Sequence, residues 1–393
     1  MISVAEAQAR LLALASPLPS VELELTKAAR HYLHGTLHAK RTQPAADLSA
    51  MDGYALSSAA FPGPWCVIGE SAAGRPFAGI LEHNQAVRIF TGAHVPAGAD
   101  TILIQEDAAR DGDTLMATAK DALAPGMHIR TAGGDFSYGD TVLTTGTFLE
   151  AGPCALAAMA GHGTVQVGRW PRVTIVTTGD ELLPAGIECS PAQIPSSNSP
   201  MLHAMLSNLP CEITDAGIIV DRLTDLETRL SALASTTDII VTTGGASVGD
   251  HDLVQTALRN IGADIDFWKV AIRPGKPVMA GKIGNTILLG LPGNPSSAFV
   301  TAFLFLLPLI RHMAGSLSPF PEVFEAKADN ALFPGGSRTE YLRARVEGAA
   351  ITAFTSRDSG LVSPLSHSNA LIIRVVDAPA TPSGAVVQYH RLF

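Results

Sequence analysis

Four short segments concentrate the residue types that hold phosphates, oxyanions and hard metal ions. The first is Thr177-Thr178-Gly179-Asp180-Glu181, and the second runs from Thr242 and Thr243 through Gly244, Gly245 and Ser247 to Asp250 and Asp252. The third is Arg273-Pro274-Gly275-Lys276-Pro277, and the fourth is Pro292-Gly293-Asn294-Pro295-Ser296-Ser297. Glycine lets a turn approach a ligand closely. Two cations flanking a proline-stiffened turn suit an anion. Asp250 and Asp252 offer the hard oxygen ligands that Mg²⁺ takes. In the fourth segment Asn294 suits a helix cap and Pro295 the first turn. The free N–H groups of Ser296 and Ser297 then form an anion site. Any one of these segments alone reads as an ordinary turn after a strand. All four together point to a phosphate-bearing ligand with a divalent metal. The sequence carries no GxxxxGK[ST] loop, no GxGxxG after the first strand and no HExxH. That argues against an ordinary ATPase, a dinucleotide dehydrogenase and a zinc protease.

The elements around these segments alternate. From residue 170 onwards, strands are expected at 173–177, 212–220, 238–242 and 286–290. Helices are expected at 200–208, 223–234 and 253–260, with a long apolar helix from Ser296. Near-continuous apolar strands separated by helices define a parallel sheet covered on both faces, which binds ligands beyond the carboxyl ends of its strands. The four segments all fall at those ends. Residues 52–148 have the short runs and Gly, Pro and Asp turns of an all-β module, and strands return after residue 318. A capping box, Ser3 with Glu6, opens a helix over 3–15. A second helix is expected over 26–33, and a third over 152–161.

Composition sets the outer limits. The chain has 393 residues, of which 47% are hydrophobic and 16% charged, with net charge −9. A chain this acidic, without a basic run, is not built to bind nucleic acid. The four scattered cysteines form no zinc or disulfide framework. They read as small buried apolar residues in a reducing, cytoplasmic protein. The apolar run 298–310, broken by Thr301 and Pro308, is too short for a membrane span and reads as a buried helix.

In this context several motifs become recognisable together. Ser49-Ala50-Met51-Asp52-Gly53-Tyr54-Ala55, Arg88-Ile89-Phe90-Thr91-Gly92, Thr178-Gly179-Asp180-Glu181-Leu182 and Asn198-Ser199 occur in order, followed by the three later segments above. This series resembles the MoeA family of molybdopterin molybdenumtransferases, whose eukaryotic relatives include the E domain of gephyrin. The resemblance spans nearly the whole chain. It implies a multidomain α/β plus β protein. A Mog-like three-layer α/β domain with a mostly parallel sheet is expected at 1–20 and 170–316. A small mixed domain is expected at 21–42 and 138–169, a β-rich domain at 43–137, and a β-barrel-like domain at 317–393.

The function that the resemblance implies is insertion of molybdate into adenylylated molybdopterin, with release of AMP and a divalent cation such as Mg²⁺. It implies a homodimer whose cleft pairs the α/β domain of one subunit with the Asp52 region of the other. A Mog-type adenylyltransferase and molybdoenzyme maturation factors are its further implied partners. Carried over by motif, Asp52, Thr91, Asp135, Glu181, Asp221, Lys269 and Arg273 are the catalytic candidates. Gly244, Gly245, Ser247, Lys276, Pro292, Gly293, Asn294, Pro295 and Ser296 are expected to bind substrate, and Asp250 and Asp252 the metal. The chain departs from the family at Arg273, where Lys is common. Arginine keeps the charge but cannot donate a proton, which removes acid–base chemistry from that position. Two alternatives remain at this stage, adenylylation of molybdopterin by the α/β domain itself and a non-catalytic scaffold of the same fold.

Overall fold

The fold is that of a computed structural model, which describes residues 1–244, 253–356 and 358–392. Its central sheet has six strands in the order Glu212–Ile219, Arg172–Thr178, Ile239–Thr243, Thr286–Leu291, Val278–Ile283 and Asp264–Trp268. The first four are parallel, Val278–Ile283 runs against them, and Asp264–Trp268, antiparallel to that strand, runs with them again. These last two strands are an addition to the expected pattern. Ile239, Ile240 and Val241 show how the layers arise, because successive strand residues point to opposite faces. Ile239 and Val241 pack with Val173, Ile175, Leu289 and the first helix, whose buried residues are Val4, Ala7 and Leu11. Ile240 packs on the other face with Val176, Leu226, Leu230, Val254 and Leu258. The helix Leu223–Ala234 buries Leu226 and Leu230 at i,i+4 spacing, the apolar stripe that turns it onto the sheet.

The first helix, Val4–Leu14, is capped as expected: the Ser3 hydroxyl accepts from the Glu6 N–H at 3.1 Å. Glu6 does not complete the box, because its carboxylate pairs with Arg10. The apolar helix runs Pro295–Met313, further than the 298–310 run suggests. By length and composition it is long enough to cross a membrane, yet 89% of that stretch is buried inside the protein.

Strand Ser20–Glu24 pairs with Thr164–Gly168, and Leu37–His38 with Thr141–Leu143. Between them the expected helix over 26–33 does not form. Ala28 closes a single turn onto Glu24, and then Arg30 and Leu33 donate to the carbonyls of Leu149 and Thr147. Arg30 adopts φ +66°, which ends any helix. Leu33, fully buried with Ala28, Leu149, Val165 and Val167, gains more from this small core than from a helical turn. Helix Ala151–Met159 completes the unit.

The β-rich part is a six-stranded sheet ordered Thr101–Ile104, Gly53–Leu56, Gln85–Ile89, Trp65–Ser71, Thr114–Ala117, Ala108–Asp111. Its core holds Tyr54, Leu56, Trp65, Leu103 and Leu115. Cys66 is exposed rather than buried, because the strand Trp65–Ser71 alternates and Trp65 takes the inward position. Of the four cysteines only Cys211 is buried. Burial pushes its thiol up to about 12, so it is inert.

After residue 320 the strands Thr339–Glu347, Ala350–Ala353, Phe324–Ala328, Val386–Arg391 and Ala370–Arg374 pair in sequence, and the last pairs back with the first. The ring closes a small barrel around Ala344, Val346, Ile351, Ala370, Ile372 and Tyr389. A further short strand, Ile272–Arg273, leaves the α/β domain and pairs in parallel with Thr339–Glu347. The anion-type turn that follows it is thereby attached to the barrel.

Candidate functional site

Three parallel strands end at the same edge of the central sheet. Arg172–Thr178 runs out at Gly179, Ile239–Thr243 at Gly244, and Thr286–Leu291 at Pro292. Beyond them lies a cleft of about 950 Å³. Glu181, Gly244, Arg273, Lys276, Pro292, Gly293, Asn294 and Pro295 line it, as the sequence places them. Arg338 and Ser359 of the barrel close the far side.

The loops are fixed by close backbone contacts. Gly244 has φ +95°, and a Cβ there would stand 2.8 Å from the Thr178 carbonyl oxygen. Gly275 has φ +120°, and its Cβ would meet the Thr301 methyl at 2.5 Å. The Arg273–Pro277 turn therefore lies directly on the buried helix Pro295–Thr301. Asn198, itself buried, donates its amide to the Gly293 carbonyl at 2.7 Å and holds the last loop from below.

The charge of the cleft is opposite to that of the chain. Its described lining carries three cations, Arg273, Lys276 and Arg338, against one carboxylate, Glu181. Arg273 is oriented by Glu340, a buried carboxylate 3.3 Å away. Lys276 is exposed at the turn. Asp221 lies just outside the lining beside Asp180 and Glu181. Burial, and then the charges of those two neighbours, raise its pKa above the ordinary carboxylate value.

Two expectations require correction. Ser296 is not a free donor: its N–H bonds the Ser359 carbonyl at 3.1 Å and its hydroxyl the Leu361 carbonyl at 3.0 Å. It is fully buried and joins the helix to the barrel. Ser297 does line the cleft, and its N–H has no partner among the described residues. Lys269 is exposed but lies outside the lining, because it follows the edge strand Asp264–Trp268. Gly245, Ser247, Asp250 and Asp252 lie outside the described residues. Among the described residues no three His, Cys, Asp or Glu side chains form a metal cluster.

Asp52, Thr91 and Asp135 sit in the β-rich part and do not line the cleft of their own chain. Asp52 Oδ1 accepts the Thr91 N–H at 2.7 Å and the Thr91 hydroxyl at 2.8 Å. Those two bonds, with the Arg88 charge adding, hold the carboxyl below the usual range. Arg88 stacks over Tyr54 and Phe90 and donates to the Gly53 carbonyl and Gln105. Asp135 is exposed; its N–H bonds Gln43. Asp47 accepts from the Ala132 N–H at 2.8 Å, which ties the Asp135 loop to the segment leading to Asp52.

Arg338 and Ser359 are not among the site residues expected from the sequence, yet both line the cleft. Nothing local marks them as cleft residues; the fold of the barrel brings them there.

The fold and site define a multidomain α/β protein with a basic cleft of cofactor size at the strand ends. Comparison with known proteins gives the family. Residues 2–161 match the MoeA N-terminal region (domain I and II), 174–312 a probable molybdopterin binding domain, and 325–392 the MoeA C-terminal region (domain IV). The molybdopterin molybdenumtransferase of Haemophilus influenzae is 36% identical over 318 residues, 80% of this chain and 78% of that protein. The one from Staphylococcus aureus strain MSSA476 is 31% identical over 386 residues, 95% and 91% respectively. The crystal structure of the MoeA protein of Pyrococcus horikoshii OT3 superposes with a TM-score of 0.85 at 24% identity, covering 100% of both chains. The chain belongs to the MoeA family and is a transferase of molybdenum cofactor biosynthesis.

Proposed function

We propose that the protein inserts molybdate into adenylylated molybdopterin and releases AMP. One observation carries this reading: a chain of net charge −9 gathers Arg273, Lys276 and Arg338 around a single 950 Å³ cleft at the ends of its parallel strands. Molybdate is a tetrahedral dianion and the adenylyl group carries phosphate. A site holding both needs fixed positive charge and exposed amide groups. Lys276 and Arg338 are suited to bind the anions, and Arg273, steered by Glu340, to clamp an oxyanion with its planar fork. The dithiolene supplies its own sulfurs, so no cysteine of the chain is needed as a ligand.

The reading includes a divalent cation, Mg²⁺, for which the motif carrying Asp250 and Asp252 is the support. It includes a cytoplasmic homodimer in which Asp52, Thr91 and Asp135 of one subunit complete the cleft of the other. Support for sharing is that these residues are ordered by hydrogen bonds yet stand apart from their own chain's cleft. Purified protein given adenylylated molybdopterin and molybdate should release AMP. Protein given molybdopterin and ATP should form no adenylylated product; formation of that product would favour the adenylyltransferase reading instead.

A further inference from the structure

Arg343 is almost wholly buried, at 6% exposure, behind the barrel side of the cleft. Its guanidinium makes four hydrogen bonds, all to neutral acceptors. Nη1 donates to Ser296 Oγ and to the Leu361 carbonyl, both at 2.9 Å. Nη2 donates to the carbonyls of Ser356 at 2.7 Å and Asp358 at 3.0 Å. Burying a charge on backbone carbonyls is costly unless every bond is made. Here three carbonyls of one loop converge on one fork.

The arrangement has a directional consequence. In a trans peptide, the N–H of the next residue points away from the carbonyl. Carbonyls of Asp358 and Leu361 that face Arg343 therefore aim the N–H groups of Ser359 and Val362 the other way. Ser359 and Val362 line the cleft, Arg343 does not, and neither N–H has a partner among the described residues. Ser296, at the start of the long helix, is clamped by the same guanidinium, and Asn294 reaches Ser359 Oγ at 3.2 Å. One side chain thus fixes the barrel wall against the helix start.

We propose that Arg343 is a positioning residue of this cleft: by gathering the Asp358 and Leu361 carbonyls it presents the Ser359 and Val362 amides to an oxyanion ligand. That the oxyanion is molybdate rests on the function proposed above. The residue acts through the wall and does not itself touch substrate.

Full-length Arg343→Met and Arg343→Lys test this in two ways. In the AMP-release assay, Arg343→Met should raise the KM for molybdate about tenfold or more while kcat changes much less. Arg343→Lys, which keeps the charge but cannot span four acceptors, should fall between it and wild type. Amide hydrogen exchange over 358–362 should quicken in both variants while the central sheet stays protected. An unchanged KM and unchanged exchange would overturn the proposal, as would a lower melting temperature with wild-type KM. If Arg343→Met does not fold, Arg343→Lys decides by the same two readings. If the wild-type protein releases no AMP, the proposed function fails, and the exchange reading still judges the role of Arg343.

Discussion

Lys276 stands between two prolines on a turn pressed against a buried helix, so its charge is held at the cleft at little entropic cost. A charge-assisted bond to a phosphate is worth about 1.5–3 kcal/mol. Lys276→Ala should therefore weaken binding of adenylylated molybdopterin by about tenfold to hundredfold, with a shallower salt dependence than wild type. Titration calorimetry at two salt concentrations checks this. Asp52 has a different task. Because Thr91 holds its carboxyl ionised, Asp52→Asn should abolish turnover while the melting temperature stays near wild type. A variant that keeps wild-type turnover would make Asp52 a loop cap only.

At the scale of elements, two features tie strands to loops. Asp238, at the amino-terminal edge of the central sheet, accepts from Arg169, from the Arg172 side chain and from the Arg172 N–H. Burial opposes its ionised form, but these bonds together outweigh burial and bring its pKa to about 2. A depressed carboxylate stabilises the fold above its unfolded pKa and loses that contribution as pH falls through its folded pKa. Asp238→Asn should therefore lower stability at neutral pH. The gap to wild type should close between about pH 4 and pH 2, measured by urea titration across that range. Gly275→Ala should cost about 1–3 kcal/mol, since φ +120° strains any side chain and the Thr301 methyl blocks the space. The same titration at pH 7 reads it.

These elements also show what a sequence can and cannot disclose. The strands and helices of the α/β domain were legible because Ile239-Ile240-Val241 and Leu226 with Leu230 carry their periods openly. The 26–33 segment was not, because its backbone partners at 147 and 149 lie more than a hundred residues away. The Gly and Pro loops were legible as chemistry, yet Ser296 was misread. Its N–H is taken by Ser359, a contact set by how the barrel docks.

On the scale of the whole molecule, the α/β domain and the barrel meet at the cleft, while Asp52, Thr91 and Asp135 of the β-rich part lie outside its lining. The account predicts a homodimer in sedimentation. It also predicts that mixing Asp52→Ala with Lys276→Ala, assayed at substrate too dilute for either variant alone to turn over, restores up to about a quarter of wild-type activity through random pairing of subunits. Activity that stays at zero after subunit exchange would show that each chain works alone.

The most direct measurement is stoichiometric. Purified protein is incubated with adenylylated molybdopterin, Mg²⁺ and molybdate, and the AMP released is counted against the molybdenum bound to the pterin. The account predicts one AMP for each molybdenum incorporated, with little AMP when molybdate is withheld. AMP release that is indifferent to molybdate, or molybdenum incorporation without AMP, would contradict it.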